Sequence, residues 1–317
     1  MAQTRTQLMQ CMEVWGGNEA FDSDVSIPGL DAWVYSKPYQ QAHAGGDVYY
    51  VSSCATGRIA RLLVADVSGH GAGVAAAAAE LRALMRRYVN RLDQRQFVRS
   101  MNEQFAQLSQ AGTFATAVVT TFFGPTNFLT ICNAGHPRPL RYRFDRREWT
   151  LLEGRRSTHA GANIPLGILD LASYDQFGVQ LGVGDLVMCY TDSLIESRDS
   201  RGEMLTEAGL LELVRQIGAD EPASAIPRLI AAITERDADN LEADDVTVLL
   251  FRPNGTMPGV PLRDKFLAPL RVIGGAVSAL RESRAMPLPD LSIANIGGAL
   301  FGPLNRVWGR NQRDDGS

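Results

Sequence analysis

One stretch constrains the chain more than any other: residues 63–71, with the sequence LVADVSGHG. An apolar run delivers the carboxylate of Asp66 to a turn that contains Gly69 and Gly71, and an alanine-rich helical pattern follows over residues 72–90. Such an Asp lies at the rim of a sheet, where glycines let the backbone approach an ion or a phosphate. An Asp after a strand also turns the chain or caps a helix, so this feature alone leaves a structural and a functional interpretation open.

Length and composition are those of a globular protein with room for a sizeable core. The chain has 317 residues, of which 45% are hydrophobic and 21% charged, and its formal net charge at pH 7 is -4. This charge argues against a general nucleic-acid binder. The sequence shows no long apolar secretory segment at its start, and no stretch reaches the roughly 18–20 apolar residues of a membrane span. We therefore expect a cytoplasmic protein that contacts neither nucleic acid nor membrane.

The four cysteines favour free thiols over disulfides or a zinc site. They lie far apart, without a Cys-x-x-Cys pair, at Cys11, Cys54, Cys132 and Cys189. Two of them, Cys132 and Cys189, fall inside apolar runs that are typical of buried strands. Free buried thiols are the usual state of cysteine in a reducing compartment.

Runs of strand-like segments alternate with paired helical segments, which favours an α+β fold over a doubly wound parallel sheet. The predicted strands span residues 31–36, 44–51, 59–67, 116–123, 128–133, 140–144, 176–181, 185–190 and 244–251. The predicted helices span residues 72–90, 94–110, 194–197, 207–218 and 223–237. We expect the three strands between 116 and 144 to form a β-meander, and the strands at 176–181 and 185–190 to pair with each other.

Composition divides the chain into three parts. Residues 1–30 show little periodicity and are interpreted as an irregular N-terminal lead-in. Residues 31–252 carry the predicted strands and helices and are interpreted as one domain. Beyond them, prolines break up short apolar pieces, so residues 253–317 are interpreted as a Pro-rich, partly apolar C-terminal tail.

Four aspartates have the same sequence context, because each lies at the start or the end of an apolar run: Asp47, Asp66, Asp192 and Asp244. Carboxylates that crowd together at a sheet edge repel one another, and burial increases that repulsion. Hard divalent cations such as Mg²⁺ and Mn²⁺ relieve it, because they prefer carboxylate, carbonyl and water oxygens. The sequence has no dense His/Cys cluster of the kind that zinc uses. The pattern therefore favours a site in which divalent cations hydrolyse a phosphoester.

Five short motifs carry a resemblance when they are taken in order: residues 45–47, 65–71, 133–137, 184–192 and 244–247. The chain resembles the PPM-type metal-dependent serine/threonine phosphatases, in the bacterial branch that includes the stage II sporulation phosphatase and the regulators of sigma-factor switches. The resemblance covers about residues 30–252. It implies a four-layer α-β-β-α sandwich, with two antiparallel sheets between helix layers and a metal site at one end.

The resemblance also implies a role for each motif residue. Two Mn²⁺ or Mg²⁺ ions would be held by Asp47, Asp66, the backbone carbonyl of Val67, Asp192 and Asp244. Asp66 would bridge the ions and Asp47 would act directly or through water, which makes both catalytic. A water shared between the ions becomes hydroxide-like and attacks phosphorus in line. His70 is a candidate acid for the leaving alkoxide, although a histidine that only orients the turn by hydrogen bonding is the favoured interpretation.

The implied substrate is a phosphoserine or phosphothreonine on a regulatory protein, such as an anti-sigma-factor antagonist, with a separate sensor or regulator as a further partner. Two departures leave an alternative open, an inactive phosphatase fold that sequesters a signalling partner. Ser193 stands where the family usually has glycine, and Tyr50 stands where many relatives carry a second acid. A serine would strain that turn if the turn required a positive φ. A serine hydrolase and an ATP-binding kinase-like fold fit less well, because the motif at 66–71 lacks a glycine that each requires.

Three further features receive mainly structural interpretations. Asp245 is interpreted as a carboxylate that supports the site or faces solvent, with Asp244 preferred as the metal ligand. His136 is interpreted as a turn residue. The arginines of one segment either attract an acidic or phosphorylated partner or form a solvated strand face, and the second interpretation is favoured: Arg138, Arg141, Arg143, Arg146 and Arg147.

Overall fold

A computed structural model gives the arrangement of the chain. It describes residues 7–8, 14–53, 58–69, 72–89, 91, 93–108, 112–154, 161–199 and 201–256. Two β-sheets pack face to face, and a layer of helices covers the outer face of each. This is the predicted four-layer α-β-β-α sandwich.

The described residues form thirteen strands and five helices. The strands are β1 (Gln7–Leu8), β2 (Val14–Gly17), β3 (Phe21–Ile27), β4 (Leu30–Lys37), β5 (Asp47–Ser53), β6 (Ile59–Val67), β7 (Ala115–Phe123), β8 (Phe128–Ala134), β9 (Leu140–Arg143), β10 (Glu148–Leu151), β11 (Gln176–Gln180), β12 (Leu186–Tyr190) and β13 (Val246–Pro253). The helices are α1 (Ala72–Tyr88), α2 (Gln94–Leu108), α3 (Ser193–Glu196), α4 (Thr206–Ile217) and α5 (Pro222–Thr234).

The strands divide into a seven-stranded and a six-stranded sheet. The seven-stranded sheet has the order β1-β3-β4-β13-β12-β9-β10, and the six-stranded sheet has the order β11-β8-β7-β6-β5-β2. Neighbouring strands are antiparallel except β1, which runs parallel to β3. Some neighbouring strands are consecutive in the chain, as β3 and β4 are. Others are distant in sequence, since β4 also pairs with β13 at the far end of the domain.

Three apolar clusters fill the spaces between the four layers. One lies between the six-stranded sheet and helices α1 and α2, a second lies between the sheets, and a third lies under α4 and α5. Strand β6 shows why the sequence specifies this arrangement. Its residues Leu63 and Ala65 pack toward α1 and α2, whereas Leu62 and Val64 pack toward the other sheet. A strand covered on both faces must be apolar throughout, which explains its unbroken apolar run.

Three predictions about the strands are wrong. The lead-in is not irregular over residues 14–27, because β2 adds to the six-stranded sheet and β3 to the other. The meander ends at β8, since β9 pairs with β12 and β10 in the opposite sheet. Strands β11 and β12 do not pair with each other, because β11 joins β8 and β12 joins β13. In the last two cases a turn of hairpin-like composition carries the chain from one sheet to the other, and periodicity alone does not distinguish these outcomes.

The short edge strand β10 was also missed, because its four residues give too short a pattern.

The predicted tail from residue 257 onward lies outside the described residues. No helix in the described part of the chain combines the length and the apolar character needed to cross a membrane. Cys132 and Cys189 are free and buried, and burial raises the pKa of each thiol to about 12, whereas Cys11 and Cys54 lie outside the described residues.

Candidate metal centre

Two of the predicted ligands face each other across adjacent strands of the six-stranded sheet. Asp47 opens β5, Asp66 lies one residue before the end of β6, and the antiparallel register pairs them directly. Directly opposed like charges destabilise a sheet. The Asp47 side chain is nearly completely buried, with 3% of the residue exposed, so water offers it little relief. This pairing is therefore costly in the absence of a partner for the negative charge.

The other two predicted ligands come from the seven-stranded sheet at the same end of the sandwich. Asp192 follows the end of β12, and Asp244 precedes the start of β13, which is the antiparallel neighbour of β12. The Thr191 backbone N–H donates to the Thr247 carbonyl at 3.0 Å, which extends the ladder to the two aspartates. Strand ends from both sheets thus bring the four predicted aspartates to one region.

A buried threonine joins the two halves of this region. The Thr191 hydroxyl donates to Asp47 Oδ2 at 2.8 Å and accepts the Thr247 backbone N–H at 3.0 Å. Thr191 is fully buried, so both bonds are shielded from water. Because Asp47 belongs to one sheet and Thr191 to the other, this hydroxyl fixes the two sheets relative to each other at the site.

The electrostatics confirm that the aspartates share one environment. Burial and then the charges of Asp192, Asp244 and Asp245 raise the pKa of Asp66 to about 7. Burial and the charges of Asp66 and Asp245 raise the pKa of Asp47 well above its usual range, against a lowering contribution from the Thr191 hydrogen bond. Burial and the charge of Glu196 raise the pKa of Asp192. Each carboxylate is thus costly to ionise until a cation compensates it.

Asp245, which the sequence left as a supporting or solvated carboxylate, supports the site. It is buried, and its carboxylate accepts the Tyr39 backbone N–H at 2.6 Å and the Gly46 backbone N–H at 2.5 Å. A Cβ on Gly45 would overlap this carboxylate, and a Cβ on Gly46 would lie 2.9 Å from the Val67 carbonyl oxygen. The glycine pair is therefore required by close approach, and Asp245 holds it against the start of β13. Asp244 is exposed and accepts the Asp245 backbone N–H at 2.8 Å.

The donor atoms fit hard divalent cations in their chemistry. They are carboxylate oxygens and the Val67 carbonyl, and the raised pKa values of Asp47, Asp66 and Asp192 mark a concentration of negative charge that a cation would relieve. Among the described residues, no group of three or more His, Cys, Asp or Glu side chains is already arranged around one point as metal ligands. The backbone thus places the donors together, and their side chains would have to converge when cations bind.

Comparisons with known proteins identify the family and the fold. A sequence model of the family "Stage II sporulation protein E (SpoIIE)" matches residues 56–254, which is more than half of the chain. The chain belongs to the SpoIIE family. The match includes Asp66, Asp192 and Asp244, whereas Asp47 precedes it. The resemblance to the bacterial branch of the PPM-type phosphatases is thereby confirmed.

Solved structures show the same fold. The RsbU and RsbW domains of Rv1364c from Mycobacterium tuberculosis match with a TM-score of 0.59 at 23% identity, over 82% of this chain and 72% of that chain. The SiaA-PP2C domain of Pseudomonas aeruginosa matches with a TM-score of 0.59 at 19% identity, over 70% of this chain and 85% of that one. RsbX, in complex with magnesium, matches with a TM-score of 0.54 at 14% identity, over 74% of this chain and 100% of that one.

The two departures from the PPM-type phosphatase pattern have structural explanations. Ser193 begins α3, and it is absent from the non-glycine residues with positive φ in the described part of the chain, so serine strains nothing there. Tyr50 is fully buried in the cluster under α1 and α2, so the side chain at this position faces the core. A second acid at this position would have to be buried in that core.

Other motif residues lie in structural roles. His136 is buried, which lowers its pKa to about 3, and its Nδ1 lies 2.8 Å from the Thr116 hydroxyl. Asp185 lies at the opposite end of β12 from Asp192, where it pairs with Arg141 at 2.6 Å and accepts the Phe144 backbone N–H. His70 lies outside the described residues, so its role as an acid stays a prediction.

The arginine segment is a charge-paired strand face. Arg138 pairs with Glu207 and Glu153, and Arg141 pairs with Asp185. Farther along, Arg143 pairs with Asp145 and Arg147 pairs with Asp220. This pattern supports the solvated strand face over a dedicated basic binding surface.

Sequence reasoning missed Thr191 as the link between the sheets, although its position beside Asp192 was the available signal.

Proposed function

We propose that this chain is a metal-dependent phosphoprotein phosphatase that removes phosphate from phosphoserine or phosphothreonine on a regulatory protein. One observation carries the proposal: strand ends from both sheets bring Asp47, Asp66, Asp192 and Asp244 into one electrostatic environment. A PP2C-type fold and membership of the SpoIIE family support it.

In this proposal two Mn²⁺ or Mg²⁺ ions bind to the carboxylates of Asp47, Asp66, Asp192 and Asp244 and to the Val67 carbonyl. When bound, such ions activate a water molecule and offset charge on the phosphoryl oxygens. Thr191 keeps Asp47 oriented and favours its ionised form through the 2.8 Å hydrogen bond. Asp245 holds the glycine pair that precedes Asp47 in place, through the hydrogen bond that it accepts from the Gly46 backbone N–H.

Ser68, the serine of the motif at 66–71, has a structural role. The Ser68 hydroxyl accepts the Phe114 backbone N–H at 3.0 Å, and the Ser68 backbone N–H donates to the Phe114 carbonyl at 2.9 Å. Ser68 therefore fixes the turn after β6 to the start of β7. In the proposal water attacks phosphorus directly, and no covalent enzyme intermediate is needed.

The partner and the location stay proposals. RsbU and RsbW domains occur together in the matched Mycobacterium tuberculosis protein, which supports a regulatory phosphoprotein as the partner class, such as an anti-sigma-factor antagonist. A separate sensor or regulator protein remains part of the proposal, as does a cytoplasmic location. The magnesium in the matched RsbX structure supports a divalent cation without deciding between Mg²⁺ and Mn²⁺.

The test is hydrolysis of p-nitrophenyl phosphate and of a phosphoserine peptide with Mn²⁺, with Mg²⁺ and with EDTA. Asp192→Asn removes a proposed ligand, and Asp220→Asn is the matched control, because the Asp220 side chain is 84% exposed and its contact is with Arg147. We expect metal-dependent turnover in the wild type and the control, and its loss in Asp192→Asn.

Two other results of this assay would contradict the proposal. Metal binding without turnover in the wild type would favour the sequestering module. If the wild type neither binds metal nor hydrolyses substrate, the proposed metal centre is refuted. The domain boundary at residue 252 is a separate proposal: deletion of residues 258–317 should spare hydrolysis, and an inactive, insoluble product would place the tail in the core.

A further inference from the structure

A cleft of about 440 Å³ lies beside the proposed metal centre, between α3 and the start of α4. Its lining includes Arg138, Ile195, Glu196, Met204 and Ala208. Residue Glu196 connects the cleft to the centre, because α3 starts directly after Asp192 and the Glu196 backbone N–H donates to the Asp192 carbonyl at 2.9 Å. The cleft is therefore one helical turn away from a proposed ligand.

Glu196 carries its carboxylate close to the centre. It is the last residue of α3, the short helix that begins directly after Asp192. Glu196 is exposed, and among the described residues no Lys or Arg forms an ion pair with it. The second acid of the cleft, Glu207, is already paired with Arg138. The cleft thus presents one uncompensated negative charge.

The apolar side of the cleft is also incompletely covered. Met204 is 45% exposed, and Ile195 and Ala208 lie beside it in the lining. Methionine surfaces adapt to differently shaped side chains. This patch and Glu196 lie in one cleft, so a single short segment can contact both.

Hydrogen bonds within the chain hold the cleft walls in place. The Leu205 backbone N–H donates to the Ser197 carbonyl at 2.8 Å, and Met204 forms a β-bridge with Arg198. Arg138 ties the opposite wall to α4 through its backbone N–H, which donates to Glu207 Oε1 at 2.7 Å. A pre-formed wall binds a partner at less entropic cost.

We propose that this cleft binds the residues flanking the phosphorylated side chain of the substrate, with an apolar side chain against Met204 and a basic side chain at Glu196. The inference rests on the proposed phosphatase function and adds the substrate class, a phosphoprotein segment with a basic and an apolar residue near the phosphoserine. Charge complementarity selects this occupant, since an acidic segment would meet Glu196 beside a carboxylate-rich centre.

Turnover of a peptide series tests the charge part. Phosphoserine peptides carry alanine at the three positions on each side, or one lysine or one glutamate at each of these positions in turn. We expect lysine to give about fivefold higher kcat/KM than glutamate at the best position, as for a partly exposed ion pair. Glu196→Lys should invert this preference. The control Glu148→Lys makes the same charge change in β10, among the residues that pair with β9, and should keep the wild-type preference.

Photo-crosslinking tests the apolar part without turnover. A peptide with a diazirine leucine beside the phosphoserine, in EDTA, should label the segment from Ile195 to Ala208, and Met204→Ala should reduce that labelling. Equal kcat/KM for all peptides, an unchanged preference in Glu196→Lys, or labelling elsewhere would overturn the proposal. If Glu196→Lys is inactive, the labelling decides. Wild-type failure to hydrolyse even p-nitrophenyl phosphate would overturn the proposed function itself, and this inference with it.

Discussion

Replacing Thr191 with valine tests the link between the two sheets at the site. The two side chains have nearly the same shape, so the substitution removes the hydroxyl while leaving the packing in place. That hydroxyl is fully buried, donates to Asp47 Oδ2 at 2.8 Å and accepts the Thr247 N–H at 3.0 Å. Valine leaves both partners without this bond.

The structure gives the size of the effect. A hydrogen bond to a charged group contributes about 1.5–3 kcal/mol, and a buried N–H left without a partner costs about 1–3 kcal/mol. Because the two terms overlap and valine buries an extra methyl group, we expect the free energy of unfolding to fall by about 2–4 kcal/mol. Loss of the bond also raises the pKa of Asp47 further, so a cation must displace a more tightly held proton. We expect Mn²⁺ affinity to fall about tenfold, which corresponds to about 1.4 kcal/mol.

Thr120→Val is the matched control. Thr120 is also a buried strand residue, and its hydroxyl makes one neutral hydrogen bond, to the Leu62 carbonyl at 3.2 Å. We expect it to cost about 1 kcal/mol and to leave Mn²⁺ affinity unchanged. Urea unfolding in EDTA measures the stabilities, and calorimetric titration measures the affinities. Equal losses in the two variants, or wild-type affinity in Thr191→Val, would refute the reasoning.

Three further outcomes follow from the site. Asp66 has a pKa of about 7 when folded against 3.8 as its ordinary value, so in EDTA its contribution to stability falls as pH rises between these values. Mn²⁺ should accordingly bind more tightly at about pH 8 than at about pH 6, and equal affinities by titration calorimetry would contradict this. Asp66→Asn should abolish metal-dependent hydrolysis yet keep or raise thermal stability in EDTA, because it removes one of several like charges; a large fall in melting temperature would be inconsistent. Gly45→Ala should lower stability and activity together, since its Cβ would overlap the Asp245 carboxylate, whereas Gly73→Ala in α1 meets nothing within 4 Å and should be neutral or stabilising.

Local elements of the fold were predictable, and their pairing was not. Strands such as β6 and helices such as α1 have strong internal patterns, so their positions are confirmed to within a few residues. The pairing of β9 and of β12 depends on which sheet a turn leads to. At Gly135 the backbone has φ of +69°, and a Cβ there would clash with Pro165, a residue distant in sequence. Such a contact decides the path of the chain and leaves no periodic signal.

Strands β2 and β3 were missed for a related reason. β3 has the sequence FDSDVSI, with two aspartates and two serines, and it lies near the rim of the seven-stranded sheet, where one face stays partly exposed. A rim strand needs few apolar residues, because its hydrogen bonds to β4 hold it in place. Its sequence therefore resembles a loop until its partner is known.

The candidate site shows the same division. The positions of the four proposed ligands at strand ends were predictable because each aspartate follows or precedes an apolar run, whereas the contacts of Thr191 and Asp245 depend on which strands meet. Asp244 and Asp245 are adjacent in sequence yet differ in environment, since one is exposed and the other is buried against Gly46. Only the register of β13 assigns these roles, and that register is set by pairing with β4 more than two hundred residues earlier.

The opposed pair Asp47 and Asp66 explains why such a site is retained in a stable fold. Two carboxylates at directly paired positions destabilise the sheet when both are ionised, and burial together with their mutual repulsion raises the pKa of each, that of Asp66 to about 7. Cations and protons then compete for the same oxygens, so metal binding must release protons near neutral pH. The buried hydrogen bond from Thr191 shifts this competition toward the ionised form. The fold thus couples the ionisation of these carboxylates to the binding of the cation that the proposed reaction requires.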